Sequence, residues 1–104
     1  MTRVGFTMRL KPGNEAEYRR RHDELRPELR KELAAHGVRD YTIFLDPESL
    51  TLFAFQRLSE PNDADALSGT EVMRRWWEHM ADLMEVNEDK SPVVRPLVEV
   101  FHVD

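Results

Sequence analysis

RDYTIFLDPESLTLFAFQRL, residues 39–58, reads as two strands joined by a tight turn. In Arg39–Leu45, Tyr41, Ile43 and Leu45 alternate with Thr42 and Phe44. A period of two sends successive side chains to opposite faces of a sheet. Asp46-Pro47-Glu48-Ser49 then supplies turn chemistry, and Leu50–Leu58 resumes the strand pattern. So short a connection joins antiparallel neighbours. The second strand is apolar on both sides, with Leu50, Leu52 and Ala54 on one and Phe53 and Phe55 on the other. That predicts a central strand, or a sheet covered on both faces.

Upstream of the hairpin, Val4, Phe6, Met8 and Leu10 alternate with Arg3, Gly5, Thr7 and Arg9, which predicts a first strand. Lys11-Pro12-Gly13 breaks it. Asn14 reads as an N-cap with Glu17 completing a capping box, and the helix runs to about His36, with Gly37 as the residue beyond its end. Pro27 lacks the N–H that would bond the Asp23 carbonyl, so a kink or short break is expected over 22–26. Downstream, Asn62–Leu67 predicts a short helical turn. Thr70 caps a helix from Glu71 to about Glu85, whose apolar positions are Val72, Met73, Trp76, Trp77, Met80, Leu83 and Met84. A polar loop over Val86–Pro96 leads to a last strand, Leu97–Val103. The order β-α-β-β-α-β is the ferredoxin-like split βαβ pattern of an α+β fold, in one domain spanning 1–104. With both helices on one face, the apolar residues of the other need a cover, which predicts a homodimer with its sheets face to face.

Composition excludes several classes of function. The net charge of -5 and pI near 5.4 argue against nucleic acid or an anionic membrane as partner. Arg19-Arg20-Arg21 reads as a solvated helix face paired with Glu15, Glu17, Asp23 and Glu24. The chain has no cysteine, hence no disulfide and no thiolate chemistry. Met1-Thr2-Arg3-Val4-Gly5-Phe6 shows no signal-peptide core, and no apolar run approaches a membrane span, so a cytoplasmic protein is expected. There is no G-x-S-x-G and no glycine-rich phosphate loop. The four histidines, His22, His36, His79 and His102, show no metal-ligand spacing. No metal and no other cofactor is expected.

What chemistry remains gathers on Glu17–Leu25. Tyr18 and His22 are four apart and project from one face of a helix, and Leu25, Leu29 and Leu33 continue that side as a core seam. Two readings fit: boundary residues with polar tips, or the floor of a pocket. The proline break beside His22 adds weight to the second, because freed carbonyls need partners. Trp76 and Trp77 point about 100° apart on a helix. Both could be core, or one could pack on the sheet while the other lines a cavity, where an indole offers a flat apolar plate and one N–H. Tyr41 carries the same pair of readings. One histidine, two tyrosines and two tryptophans suit acid/base chemistry on a small neutral polyol, since imidazole titrates near working pH.

These residues also resemble a known family, the L-rhamnose mutarotases. The resemblance lies in Glu17-Tyr18-Arg19-Arg20-Arg21-His22-Asp23-Glu24 with Pro27-Glu28-Leu29, and in Asp40-Tyr41-Thr42-Ile43-Phe44-Leu45-Asp46. It continues in Arg75-Trp76-Trp77, His79-Met80-Ala81-Asp82, the Asn87-to-Pro92 loop, and the tail Glu99-Val100-Phe101-His102. It spans the whole chain. It implies a dimeric ferredoxin-like α/β barrel that interconverts the α and β anomers of L-rhamnose, with His22 as proton donor and with Tyr18, Tyr41, Trp76 and Trp77 contacting sugar. On that reading His22 is the acid for ring opening and the base for closure, and the second proton carrier is Tyr18, Tyr41, Asp23 or water. Two positions depart from the pattern: Arg26 stands where the family usually has tryptophan, and the loop reads Asn87-Glu88-Asp89-Lys90-Ser91-Pro92. The alternatives are a mutarotase for a related sugar such as L-fucose, a non-catalytic ligand-binding dimer, and, by fold analogy alone, an oxygenase.

Overall fold

The computed structural model describes residues 2–104; Met1, which opens the stretch searched for a leader, lies outside them. The elements are β1 (Thr2–Arg9), α1 (Glu15–Asp23), α2 (Pro27–Ala35), β2 (Val38–Asp46), β3 (Thr51–Leu58), a 3₁₀ turn (Ala64–Gly69), α3 (Glu71–Met80), a second 3₁₀ turn (Ala81–Leu83) and β4 (Arg95–Leu97). The sheet is ordered β2-β3-β1-β4, with every neighbouring pair antiparallel. This is the ferredoxin-like arrangement, and β3 is central as its two apolar faces predict.

The inner face of the sheet carries Met8, Leu10, Leu52 and Ala54, which are buried against Tyr18, Met80, Leu83 and Met84. A second cluster, Leu29, Val38, Leu67 and Met73, joins α2, the start of β2 and the first turn of α3. Trp76 packs on both clusters. The outer face is bare in the protomer. Phe44 is 61% exposed, Phe55 44% and Leu97 42%. Gly5 lets Phe55 and Leu97 close over β1: a Cβ there would lie 3.3 Å from Phe55 Cδ1 and 3.5 Å from Leu97 Cδ1.

The first helical stretch divides into two helices rather than one kinked helix. Pro27 takes the first position of α2, and Arg26 before it is extended (ψ 141°), the conformation that proline sterics impose on the preceding residue. Gly37 follows α2 at φ +87°, the left-handed residue expected there. The expected capping box at Asn14 is absent. Glu17 instead accepts from Arg20 and Arg21, and Asn14 Nδ2 donates to the Lys11 carbonyl at 3.3 Å. Two guanidinium forks outcompete a single backbone N–H for one carboxylate. At α3 the cap forms as expected, with Thr70 Oγ1 accepting from Met73 N. That helix stops at Met80, short of Glu85, because the chain then docks beside β1: Lys11 N donates to Leu83 O at 2.8 Å and Glu85 N to Arg9 O at 3.0 Å.

The last strand also differs from the expected Leu97–Val103. Only Arg95–Leu97 pairs, in a register that sets Leu97 opposite Gly5. Continuing that register puts Glu99 beside Arg3, and the two form an ion pair at 2.9 Å. Val98, Val100, Phe101 and Val103 are 74–91% exposed, an apolar arm with no strand partner among the described residues.

Candidate active site

Between sheet and helices lies an open cavity of about 1600 Å³, walled by residues of both apolar clusters. All five residues singled out in the sequence, Tyr18, His22, Tyr41, Trp76 and Trp77, line it. Tyr18 and His22 stack one turn apart on α1, with ring centroids 4.3 Å apart. Trp76 of α3 meets His22 edge-on at 5.1 Å and an interplanar angle of 89°. Tyr41 arrives from the opposite wall. An extra residue in β2, between Arg39 opposite Arg57 and Thr42 opposite Phe55, makes a bulge in which Asp40 adopts φ +51°. Bulges re-aim side chains; Tyr41 sets its ring edge-to-face with Phe6 at 6.4 Å. Trp77 packs with the second cluster and is half-buried like Trp76. For both tryptophans, core and cavity-wall readings hold together.

The hydrogen bonding of His22 fixes its tautomer. Nδ1 lies 2.9 Å from the Tyr18 carbonyl oxygen. A carbonyl can only accept, so Nδ1 carries the hydrogen and the neutral ring has its lone pair on Nε2. Burial is the larger influence on this ring and holds its pKa below the ordinary 6.5; the Tyr18 carbonyl and the Asp23 charge pull more weakly the other way. At neutral pH His22 is an uncharged base.

The tyrosines behave oppositely. Burial raises Tyr18 well above the ordinary phenol value. Tyr41 is pushed up to about 12 by the protein packed around it, with Gln56 drawing it slightly down. Its 38% exposed surface is not at odds with that, because the ring looks into the open cavity. Both phenols stay protonated donors. Tyr18 is 9% exposed, and among the described residues its hydroxyl has no hydrogen-bond partner. It is nevertheless not sealed off, since no buried polar side-chain atom among the described residues lacks a partner. Tyr18 lines the cavity. The charged residues of the lining, Glu15, Arg19, Arg30, Asp65 and Lys90, are all exposed. A base, two phenols and two indole plates without a buried charge fit a neutral polyhydroxyl ligand.

Among the described residues no cluster of histidine and carboxylate could hold a metal ion, and no helix is long and apolar enough to cross a membrane. None of the other three histidines lines the cavity. His36 ends α2 with Nδ1 against the Glu32 carbonyl, His102 is on the exposed arm, and His79, though exposed, stacks on Trp76 at 5.9 Å. Arg26 is exposed at the N-cap of α2 and is not part of the cavity wall. Sequence reasoning misses Arg21. Helical spacing makes it a solvated partner of nearby carboxylates, and it does pair with Glu17, but it also crosses to Asp82 beyond α3. Nothing in local spacing signals an ion pair between residues so far apart in the chain.

Comparison with known proteins gives the same answer across the chain. The family model described as L-rhamnose mutarotase matches residues 3–103. An L-rhamnose mutarotase of Bacteroides thetaiotaomicron is 51% identical over 104 residues, covering 100% of both chains. That of Listeria monocytogenes is 45% identical over 103 residues, covering 99% of each. The crystal structure of an L-rhamnose mutarotase from Formosa agariphila superposes with a TM-score of 0.93 at 46% identity, again over 100% of both chains. An antibiotic biosynthesis monooxygenase superposes at 0.61 with 17% identity, covering 96% of this chain and 99% of that one; this likeness is one of fold. Fold, cavity and full-length likeness agree: the chain belongs to the L-rhamnose mutarotase family.

Proposed function

We propose that this isomerase interconverts the α and β anomers of L-rhamnose, with His22 Nε2 carrying the proton. Mutarotation breaks the bond between the anomeric carbon and the ring oxygen. The anomeric hydroxyl loses a proton, the ring oxygen gains one, the aldehyde carbon turns its other face, and the steps reverse. Both oxygens are bonded to the same carbon, so one imidazole nitrogen can serve both. Neutral Nε2 takes the proton of the anomeric hydroxyl and the imidazolium delivers it to the ring oxygen, which is the acid role expected for opening. On closure Nε2 takes it back from the open-chain hydroxyl and returns it to the carbonyl oxygen. Atoms and charge balance without a second ionised group. Tyr18 and Tyr41, both held protonated, donate hydrogen bonds to the sugar, and the planes of Trp76 and Trp77 cover its C–H faces.

The observation that carries this reading is the 2.9 Å bond from Nδ1–H to the Tyr18 carbonyl, which leaves the Nε2 lone pair to a cavity walled by aromatic rings. The position of Arg26 outside the cavity wall removes the ground for expecting another sugar. The reading carries with it the cytoplasmic location expected from the sequence. It also carries a homodimer, in which Phe44, Phe55 and Leu97 of one sheet and the apolar arm meet a second copy.

Saturation-transfer proton NMR of L-rhamnose tests the activity. Catalytic amounts of protein are expected to speed transfer between the two anomeric protons, and folded His22→Ala to lose about 10²–10⁴-fold of that rate. Undiminished exchange with His22→Ala would overturn the assignment. Exchange of L-fucose but not L-rhamnose would overturn the choice of sugar.

A further inference from the structure

α1 carries both Tyr18 and His22, yet little holds it in place. It has nine residues, too few for an isolated helix to persist in water, and the break before Pro27 deprives it of support from α2. Tyr18 is its one buried residue. The sheet fixes Tyr41 and the body of α3 fixes Trp76, so the site is assembled only if α1 is tied to them.

The geometry points to Arg21 as the positioning residue that makes this tie. This inference rests on the reading of His22 as proton carrier. The Arg21 side chain is only 15% exposed and uses its donors in three directions. Nε donates to Glu17 Oε2 at 2.7 Å, within α1. Nη1 donates to Asp82 Oδ1 at 2.9 Å and Nη2 to Asp82 Oδ2 at 3.3 Å, a two-pronged bond across to the turn after α3. Nη1 also donates to the carbonyl of His79, in the last turn of α3, where carbonyls lack partners within the helix and favour a cation.

The two ends of this clamp flank the chemistry. Arg21 is the residue before His22, and His79 lies three residues after Trp76, against whose ring it also stacks. The clamp thus sets the 5.1 Å edge contact between His22 and Trp76. A flat guanidinium reaches both carboxylate oxygens and a carbonyl at once, which an ammonium cannot do. The neighbouring Arg20, by contrast, pairs with Glu17 on α1 and with Glu24 at its end.

The test uses Arg21→Gln, Arg21→Lys and Asp82→Asn, each measured against wild type well below its unfolding temperature. Arg21→Gln is expected to lower kcat of anomer exchange about tenfold or more, with a smaller change in KM, since a loosened base is misplaced by fractions of an ångström. Arg21→Lys recovers part of the rate. Asp82→Asn loses less than Arg21→Gln, because the bond to the His79 carbonyl remains, and it serves in its place should Arg21→Gln not fold. The second readout needs no sugar and no turnover. As α1 loosens, His22 becomes more hydrated and its NMR titration midpoint moves up toward 6.5. Wild-type kcat and an unmoved His22 titration in both Arg21→Gln and Asp82→Asn would overturn the clamp. Loss of thermal stability alone, with both readouts unchanged, would overturn it equally. Because the titration is read without activity, failure of the clamp is distinguishable from failure of His22 as proton carrier, which His22→Ala reports.

Discussion

At the scale of single residues, the candidate site holds one imidazole kept neutral and two phenols kept protonated by the same cause, burial. Burial disfavours the charged form, so it lowers a histidine and raises a tyrosine. The sign of the pH dependence follows. Catalysis through neutral Nε2 requires the deprotonated ring, so kcat/KM in the free enzyme is flat at and above neutrality and falls as pH drops through the His22 midpoint, below 6.5. A mechanism that begins from imidazolium gives the reverse profile, with activity lost as pH rises. A profile of anomer exchange from acid to neutral pH, corrected for the uncatalysed rate in each buffer, separates the two. Most of this site is legible in the sequence. The spacing of Tyr18 and His22 predicts one helical face, whereas the adjacent pair Trp76-Trp77 leaves core and cavity wall equally open. The tautomer is not legible there, because it depends on which nitrogen meets the Tyr18 carbonyl. Nor is the role of Arg21, whose partner Asp82 is far along the chain and adjacent only in the folded protein.

At the scale of elements, the helical segments are set by backbone constraints more than by propensity. Proline starts α2 and forces Arg26 out of the helical region, so what reads as one amphipathic run becomes two short helices with α1 free to carry the site. Gly37 then turns the chain from α2 into β2 at φ +87°. A Cβ at that position would lie 2.5 Å from Ser59 Oγ and 2.6 Å from Asn62 Cβ, so neither the conformation nor the space admits a side chain. Gly37→Ala is therefore expected to destabilise the fold by about 2 kcal/mol or more, combining the left-handed strain with displacement of the Ser59–Asn62 turn. Thermal or urea denaturation against wild type checks this, and an unchanged midpoint would show that the turn yields freely. The glycine is legible in the sequence as the residue after a helix. The short α3 and the truncated last strand are not. In both, the local pattern continues but the fold departs from it: α3 gives way where the chain hydrogen-bonds to β1, and β4 leaves the ladder after Leu97, opposite Gly5.

At the scale of the whole molecule, one sheet has two fates. Its inner face forms the wall of the cavity, and its outer face presents Phe44 and Phe55, edge-to-face at 6.1 Å, beside Leu97, with the apolar residues of the 98–104 arm still further exposed. Single exposed apolar residues are ordinary on a protein surface, but a contiguous set on a flat sheet is a liability unless it is covered. The sequence already implies this, because β3 is apolar on both sides while only one layer of helices is available to cover it. A second copy presents the same patch, and a two-fold arrangement would set the two patches against each other. Phe44 is the residue on which this depends most directly. It is the most exposed residue of the sheet patch, and it contributes nothing to the buried clusters of the protomer. Phe44→Glu is therefore expected to leave the protomer folded, with an unaltered far-ultraviolet circular dichroism spectrum, while placing a carboxylate from each protomer in an apolar contact. An unpaired buried charge costs several kcal/mol, enough to dissociate an interface of this kind at micromolar concentration. Sedimentation velocity of wild type and variant reads the result directly: a dimer that becomes a monomer supports sheet-to-sheet association, a dimer indifferent to Phe44→Glu would place the contact elsewhere, and a wild-type monomer would overturn the homodimer.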